Sequence, residues 1–456
     1  MKARLKETLR DIGSSRTFQN AVALFSARSL NSLISLIFSL LAGRILSVED
    51  HGVFSQTLAR IVVIQAVTEA GLQYSLVRFL APRIGGGDTG DVHAIVRASL
   101  QIKFYAFMPL LALTVLAMLG VYGAPFLGSA GVPGWMLPDS DPDLMVLLWI
   151  ILLGGFGMSL LSYLDAILVA HSMYFRLSVW LPSVGLIRLG LLGVLLVSGE
   201  GLRAEHVLFA FALGPYIAVA LCFLFFPIGF FFQSVESTLW RGWVGKLFRY
   251  NLWIVAASFM SIISDWMEIL MITGAADAGL YNAARMPMQG FLILLATMQS
   301  ILLPRFAGLT TPDQFKSVFR RVYTALVPGA LLLIPGFWLF AWFIPAWYGP
   351  DYLPSTRVFM ILYPNFVLRL FFAPLGTALF ALDQPRLIAA ETGLKMVVGF
   401  VANLVLIPLY GIVGAAVASW IAQIAGWSFL LFCFYYYFRD GKFPFAQDER
   451  ARPAAP

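Results

Sequence analysis

Charged residues are scarce in this sequence: they make up 12% of its 456 residues, whereas hydrophobic residues make up 60%. A soluble globular protein usually contains about 25% charged residues. No soluble core is large enough to hide apolar runs as long as the ones found here. The composition therefore excludes a soluble globular protein and predicts a polytopic membrane protein built from α-helices.

Cysteine and histidine are also rare, with two and four residues respectively. Both cysteines, Cys222 and Cys433, lie in apolar runs, where they behave as small hydrophobic side chains and indicate no disulfide framework. The histidines are isolated, and none lies at a metal-ligand spacing: His51, His93, His171 and His206. The sequence therefore predicts no metal site and no cofactor.

Twelve apolar runs are long enough to cross a hydrocarbon layer of about 30 Å as helices. They are 18–43, 53–77, 104–122, 144–170, 177–198, 205–231, 250–273, 279–304, 322–346, 356–382, 386–408 and 412–437. These runs predict an interfacial N-terminus (1–17), a six-helix bundle (18–232), an interfacial linker (233–249), a second six-helix bundle (250–438) and a tail (439–456).

Basic residues outside these runs fall almost entirely on one side of the predicted membrane. The positive-inside rule places that side, and with it both termini, in the cytoplasm. The segment 78–103 then becomes a cytoplasmic connection. The net charge of +7 follows from this topology and requires no nucleic-acid partner.

The stretch from Tyr250 to Phe306 organises the chain. It is predicted to form two membrane helices joined by a six-residue turn, 274–279. Polar residues in the first helix are spaced so that they share one face: Asn251, Ser258, Ser261, Asp265 and Glu268. In the fourth run Ser159, Ser162 and Asp165 share a face in the same way.

A related unit occurs earlier in the chain at a constant offset of 227 residues. At that offset Asp277, Gly279, Tyr281, Arg305 and Phe306 correspond to Asp50, Gly52, Phe54, Arg78 and Phe79. The helix before the earlier unit also has a polar face, formed by Arg28, Asn31, Ser35 and Ser39. The chain is therefore predicted to consist of two related halves, each with a polar face inside the bilayer.

Several basic residues are predicted to lie inside the spans: Arg28, Arg60, Arg188, Arg369 and Lys395. An arginine at mid-depth costs at least about 2.5 kcal/mol, which is tolerable where it faces a wet cavity or a partner. The aligned Asn31 and Ser35 favour a cavity at Arg28, and a structural ion pair is the alternative. Lys395 lies one helical turn after Glu391, so that these two charges largely neutralise each other.

Each of the two related units contains a set of short motifs. In the later unit they are Ser264-Asp265, Asp277-x-Gly279-x-Tyr281 and Pro304-Arg305-Phe306. In the earlier unit they are Ala42-Gly43-Arg44, Asp50-x-Gly52-x-Phe54 and Glu69-Ala70-Gly71-Leu72. These motifs resemble those of the Wzx-type polysaccharide flippases of the MOP superfamily. The resemblance implies two pseudo-symmetric six-helix bundles around a central cavity. It also implies transfer of a lipid-linked oligosaccharide from the inner to the outer leaflet of the inner membrane. The lipid-II flippase branch usually has two further helices, which this chain lacks.

A polyprenyl pyrophosphate-linked sugar has an anionic, hydrated head, which needs a wet cavity with cations near mid-depth. The candidate substrate-binding cations are Arg28, Arg60, Arg188, Arg369 and Lys395, and the candidate polar lining residues are Asn31, Ser35 and Ser261. Asp265 and Glu268 are candidate ion-coupling groups, and ion pairing with the same basic residues is the alternative. Besides the bilayer, the partners implied are a polysaccharide polymerase and its chain-length machinery.

Two other functions compete with a flippase. A MATE-type drug or metabolite exporter shares the architecture, but its cationic substrates favour acidic over basic cavity residues. A membrane-embedded polysaccharide polymerase or acyltransferase is disfavoured because the external loops are short and no histidines cluster. The sequence therefore predicts a transporter and not an enzyme.

Overall fold

The computed structural model describes residues 16–129, 142–198, 201–224, 228–231, 233, 235–289, 312–381 and 385–439, with 291, 294, 295, 298, 299, 302, 305 and 306. The predicted interfacial N-terminus and the tail lie almost wholly outside these residues. Every regular element among the described residues is a helix. The predicted all-α class is thus confirmed.

The α-helices are α1 (Arg16–Ile45), α2 (Val48–Glu69), α3 (Leu72–Gly85), α4 (Thr89–Ser129), α5 (Pro142–Ala170), α6 (Tyr174–Val197), α7 (Ala204–Cys222), α8 (Ser237–Met271), α9 (Ala275–Arg285), α10 (Pro312–Leu331), α11 (Ile334–Tyr348), α12 (Leu353–Ala381) and α13 (Pro385–Arg439). Short 3₁₀ turns lie at Ile228–Phe230, Met286–Met288 and Pro350–Tyr352. The long α13 contains a non-helical residue, Gly411, which separates the last two predicted spans.

Among the described residues, eight helices are long and apolar enough to cross a membrane, and nine if α10 and α11, bent by 40°, form one span. One of the eight, Arg386–Tyr436, contains two of the predicted spans. The chain is therefore a multi-pass membrane protein. The count of twelve spans stays a prediction.

Three boundaries predicted from the sequence are wrong. The run 53–77 is two helices, α2 and α3, because Ala70 and Gly71 take positive φ angles of 50° and 66° and end the helix. The connection 78–103 is mostly helical, since α3 continues to Gly85 and α4 begins at Thr89. The turn 274–279 is shorter than predicted because α9 begins at Ala275. In addition, α8 runs without a break through the predicted linker boundary at residue 250.

The chain forms two compact units. The first contains the described residues of 1–38 and 57–262, and the second contains 39–56 and the described residues from 263 onward. In the first unit α5 packs against α3, α4, α6 and α7. In the second unit α12 packs against α9, α10, α11 and α13. These two central helices are the fourth and tenth predicted spans, which are equivalent positions if the chain is a repeat of six helices.

Candidate functional site

A cluster of charged side chains lies inside the first unit, around the central helix α5. We call it the Asp165 cluster: Arg28, Glu69, Gln73, Lys103, Ser159 and Asp165. Arg28 Nη2 lies 3.0 Å from Asp165 Oδ2, and the side chains are 50% and 11% exposed respectively. Gln73 Nε2 donates to the same oxygen at 3.5 Å. The other carboxylate oxygen, Oδ1, is buried without a hydrogen-bond partner.

Lys103 belongs to this cluster although the sequence placed it in a cytoplasmic connection. The residue is 1% exposed. Its Nζ donates to the carbonyl oxygens of Ser159 (2.9 Å) and Thr68 (3.4 Å) and to the Ser159 hydroxyl. Glu69 interacts electrostatically with Lys103 and hydrogen-bonds with Gln65 and Ser162. The acidic and basic residues of the cluster therefore balance each other.

Arg188 is buried in the first unit and points to protein acceptors. Its Nε donates to the Phe211 carbonyl oxygen at 3.2 Å, and its Nη2 lies 2.7 Å from the Met158 sulfur. The guanidinium also stacks on the Phe211 ring, 3.8 Å from its centroid. Gly214 leaves room for this arginine, because a Cβ there would lie 2.7 Å from Arg188 Cγ. Among the described residues no carboxylate forms an ion pair with it.

A second charged cluster lies inside the second unit, where α8, α9, α12 and α13 meet. We call it the Arg369 cluster: Asp265, Glu268, Tyr281, Arg285, Arg369 and Gln423. Arg369 Nη1 lies 3.8 Å from Asp265 Oδ1, and the Asp265 side chain is 51% exposed. The side-chain amide of Gln423 is oriented with its oxygen towards Arg369, because this orientation satisfies both its oxygen and its nitrogen. The oxygen then accepts hydrogen bonds from Arg369 Nε, at 2.8 Å, and from Arg369 Nη2. The cluster encloses a space of about 20 Å³, enough for one water molecule.

Two further members of the Arg369 cluster, Arg285 and Glu268, line that space. Arg285 lies with its guanidinium 4.6 Å from the Trp266 ring centroid, and its Nη1 is buried without a hydrogen-bond partner. Glu268, which is buried, interacts electrostatically with both Arg285 and Arg369. Two carboxylates and two guanidinium groups thus share one small, largely buried site.

The remaining candidates are dispersed. Lys395 and Glu391 form the expected pair within α13, with Nζ and Oε1 3.0 Å apart. Arg60 on α2 and Ser261 on α8 are exposed, and Ser35 is half-buried. Asn31 has a buried amide oxygen without a partner. The assigned roles of all these residues stay predictions.

Sequence reasoning missed Arg285, Gln423 and Lys103, and it recognised Tyr281 in a motif without assigning it to the site. The amphipathic segment 92–103 continues into the next apolar run at helical spacing, which indicates a helix through Lys103 but not the burial of its side chain. Asp165 was recognised on a polar face but was not assigned to the site. In the part of the chain that the structure describes, no three His, Cys, Asp or Glu side chains gather as a metal site would require.

A close backbone contact lies in the second unit, between the start of α2 and α9. A Cβ on Gly52 would lie 1.6 Å from the Ala275 carbonyl oxygen, and a Cβ on Gly279 would lie 2.2 Å from the Val48 carbonyl oxygen. The offset of 227 residues relates Gly52 to Gly279 and Val48 to Ala275. The two contacts are therefore reciprocal, as a two-fold axis between repeated segments would produce.

His51 is buried beside this glycine contact. Its Nε2 lies 3.3 Å from Asn282 Nδ2, and its Nδ1 lies 3.3 Å from the Tyr352 hydroxyl. Burial lowers the pKa of His51, which precedes the predicted second span, to about 4. The ring is therefore uncharged at neutral pH and serves the contact as a hydrogen-bonding group.

Comparison with known proteins gives three findings. The model of a family described as polysaccharide biosynthesis protein matches residues 17–310, more than half of the chain. The probable low-salt glycan biosynthesis flippase Agl15 of Haloferax volcanii is 25% identical over 234 residues, 50% of this chain and 48% of that protein. The chain thus spans about half the length of this curated relative.

The third finding is a likeness to solved transporters. The lipid II flippase MurJ, in an inward closed conformation, superposes with a TM-score of 0.62 at 14% identity, over 90% of this chain and 87% of that one. An inward-facing multidrug resistance MATE family transporter of the MOP superfamily gives a TM-score of 0.63 at 12% identity, over 90% and 97%. At such identities the likeness shows the fold alone.

Proposed function

The chain belongs to the family of polysaccharide biosynthesis proteins, and on that premise we propose that it flips polyprenyl pyrophosphate-linked oligosaccharide units across the inner membrane by alternating access. The units serve the synthesis of a surface polysaccharide such as O-antigen, capsule or exopolysaccharide. Both termini lie in the cytoplasm in this proposal. A polysaccharide polymerase and its chain-length machinery are the proposed partners.

The observation that carries this proposal is the pairing of arginines with carboxylates inside membrane helices. Charges at such depth are costly and usually mark the path of a substrate or an ion. Arg28 is held by Asp165, yet half of its side chain stays accessible. A guanidinium binds phosphate with the same forked geometry as carboxylate. A diphosphate can therefore take the place of the carboxylate at Arg28 or Arg369.

Asp265 is the proposed ion-coupling group. Its carboxylate is half exposed and lies 3.8 Å from Arg369, so that binding of a proton or sodium ion there would release the arginine. Glu268 is buried in the same cluster and also interacts electrostatically with Arg369. The alternative role of Asp265 is to balance Arg369 structurally.

Removal of the charge at Arg369 is expected to abolish export. Arg369→Ala deprives a diphosphate of two charge-assisted hydrogen bonds, which corresponds to a loss of about a hundredfold in transport. Arg369→Lys keeps the charge without the fork and should retain part of the activity. The measurement is export of labelled lipid-linked oligosaccharide in vesicles, at equal amounts of inserted protein. Arg357→Ala, an exposed arginine on the same helix, is the matched control.

The same test extends to Arg28, Arg188 and Lys395, each changed to alanine. Export per molecule of inserted protein should be lost at all of these positions. Normal export in every alanine variant would contradict the cationic-site proposal. Export of a cationic dye by the wild-type protein, with no export of the lipid-linked oligosaccharide, would place the MATE-type exporter first.

Neutralising Asp265 is expected to uncouple transport from the ion gradient. In Asp265→Asn, Arg369 keeps Gln423 and the nearby Glu268, so the protein should accumulate normally. Export should continue without a response to an imposed pH or sodium gradient. The check is initial rates in vesicles with and without each gradient. Poor accumulation with an intact gradient response would show instead that Asp265 only balances Arg369.

A further inference from the structure

An open groove of about 830 Å³ lies in the second unit between α10 and the described residues Leu294, Met298, Leu302 and Arg305. Its lining is apolar over most of its length. Leu294, Met298 and Leu302 line one side, and Val322, Leu326 and Leu333 line the other. On each side these residues recur at intervals of four or seven positions, which is the spacing of one helical face. The groove therefore runs along the helix axis.

Two arginines, Arg305 and Arg321, line the same end of this groove. Both are exposed, and among the described residues neither forms an ion pair. From Arg321 to the end of α10 at Leu331 the helical rise corresponds to about 15 Å. The groove is thus a long apolar surface that ends in two positive charges, on the side that the basic residues predict to be cytoplasmic.

The described residues at the equivalent place in the first unit are packed differently. Arg78, which corresponds to Arg305, donates to the Tyr250 hydroxyl at 2.9 Å and stacks on the Tyr250 ring. The helix that follows, α4, packs on α3 through completely buried residues such as Leu76, Leu80 and Ile95. The fold therefore does not require an open space or an unpaired arginine at this place. The second unit keeps both, which points to a ligand.

We propose that this groove binds the lipid end of the substrate, with a phosphate group on Arg305 and Arg321 and the isoprenoid chain along the apolar lining. The proposal rests on the proposed flippase function and adds a loading site in the cytoplasmic leaflet. A phosphorylated polyprenol is a single long chain with a compact anionic head, which matches a narrow groove with charge at one end only. Guanidinium groups bind phosphate oxygens in pairs.

The charged end is tested with a polyprenyl monophosphate as the probe. Binding is measured on the full-length protein in nanodiscs of neutral lipid. The double variant Arg305→Glu/Arg321→Glu should bind at least about tenfold more weakly. The double variant Lys316→Glu/Arg320→Glu has the same change of charge on exposed positions of α10 that do not line the groove. It should bind within about twofold of wild type, because its charges lie outside the groove.

The apolar end is tested by filling it. Gly329 lines the groove, and a Cβ added there would meet no atom within 4 Å. Gly329→Phe should therefore fold normally and reduce binding of the same probe by about tenfold or more, because the ring occupies the path of the chain. Gly190→Phe is the control, since Gly190 is an exposed helical glycine with equally open surroundings outside the groove.

The outcomes separate this proposal from the flippase function. Unchanged probe binding in both groove variants would overturn the groove and leave the flippase function in place. Equal competition by phosphatidylglycerol would also overturn it, by showing a general site for anionic lipids. Failure of the wild-type protein to bind the probe and to export any lipid-linked oligosaccharide would instead overturn the flippase function. Weaker binding in both groove variants, with both controls normal, supports the loading site.

Discussion

We expect Gly52→Val to abolish export and to separate the start of α2 from α9. A Cβ on Gly52 would lie 1.6 Å from the carbonyl oxygen of Ala275, and backbone atoms cannot give way as a flexible side chain can. The helices must therefore move apart. Overpacking of this kind typically costs about 1–3 kcal/mol or more. We expect Gly279→Val to have the same effect, because its Cβ would meet the carbonyl oxygen of Val48.

Thiol accessibility reports this separation directly. Ala278 is completely buried in α9. In an otherwise wild-type protein Ala278→Cys should resist a membrane-impermeant thiol reagent, and in the Gly52→Val background it should react. Gly274→Val is the matched control, because its Cβ would meet only the flexible Asp277 side chain, at 3.3 Å. Wild-type export by Gly52→Val would show that transport does not require this contact.

The glycine contact also illustrates how far the sequence leads. The offset of 227 residues identifies Gly52 and Gly279 as equivalent, and the short side chains predict close packing. In the structure Gly52 packs against Ala275, and Gly279 packs against Val48, the equivalent of Ala275. The sequence cannot show these two contacts, because each joins segments more than 200 residues apart. Only the folded chain reveals the reciprocity, and with it the burial of His51 among Asn282 and Tyr352.

The helix class was predictable because apolar composition alone determines it, whereas the helix ends were not. Hydropathy detects apolar residues but contains no information on the backbone angle φ. The helix break at Ala70 and Gly71 was therefore missed. Hydropathy also indicates the end of a membrane span at every lysine. The Lys103 side chain is buried between helices, because Ser159 and Thr68 on other helices supply oxygen acceptors for it. No pattern within α4 contains that information.

The charged sites were predictable only in part, because the sequence shows which residues share a helix face but not which helices meet. Spacing within α8 identifies Asp265 and Glu268, because residues on one face of a helix are neighbours in sequence. Arg285 and Gln423 join them from α9 and α13, and that meeting depends on tertiary packing. Asp165 shares a face with Ser159 in the sequence, but its pairing with Arg28 joins residues 137 positions apart.

Arg28→Ala is expected to prevent accumulation of the protein and not only export. Without Arg28, the largely buried Asp165 loses its ion-pair partner and has only Gln73 as a weak donor at 3.5 Å. Removal of one partner from a buried ion pair typically costs about 3–5 kcal/mol. Asp165→Asn should be much milder, because Arg28 is half exposed and can remain hydrated. The measurement is the amount of inserted, monodisperse protein for each variant.

The double variant Arg28→Ala/Asp165→Asn then separates structure from transport. With both charges removed, accumulation should return to the wild-type level, since no uncompensated charge remains. Export should stay absent, because the proposed diphosphate ligand has lost its guanidinium. The control is the pair Arg83 and Asp91 of the same unit, 2.8 Å apart, where Arg83→Ala/Asp91→Asn should retain both accumulation and export. If the Arg28/Asp165 double variant exports at the wild-type rate, Arg28 serves only to balance Asp165, and the substrate anion is bound elsewhere.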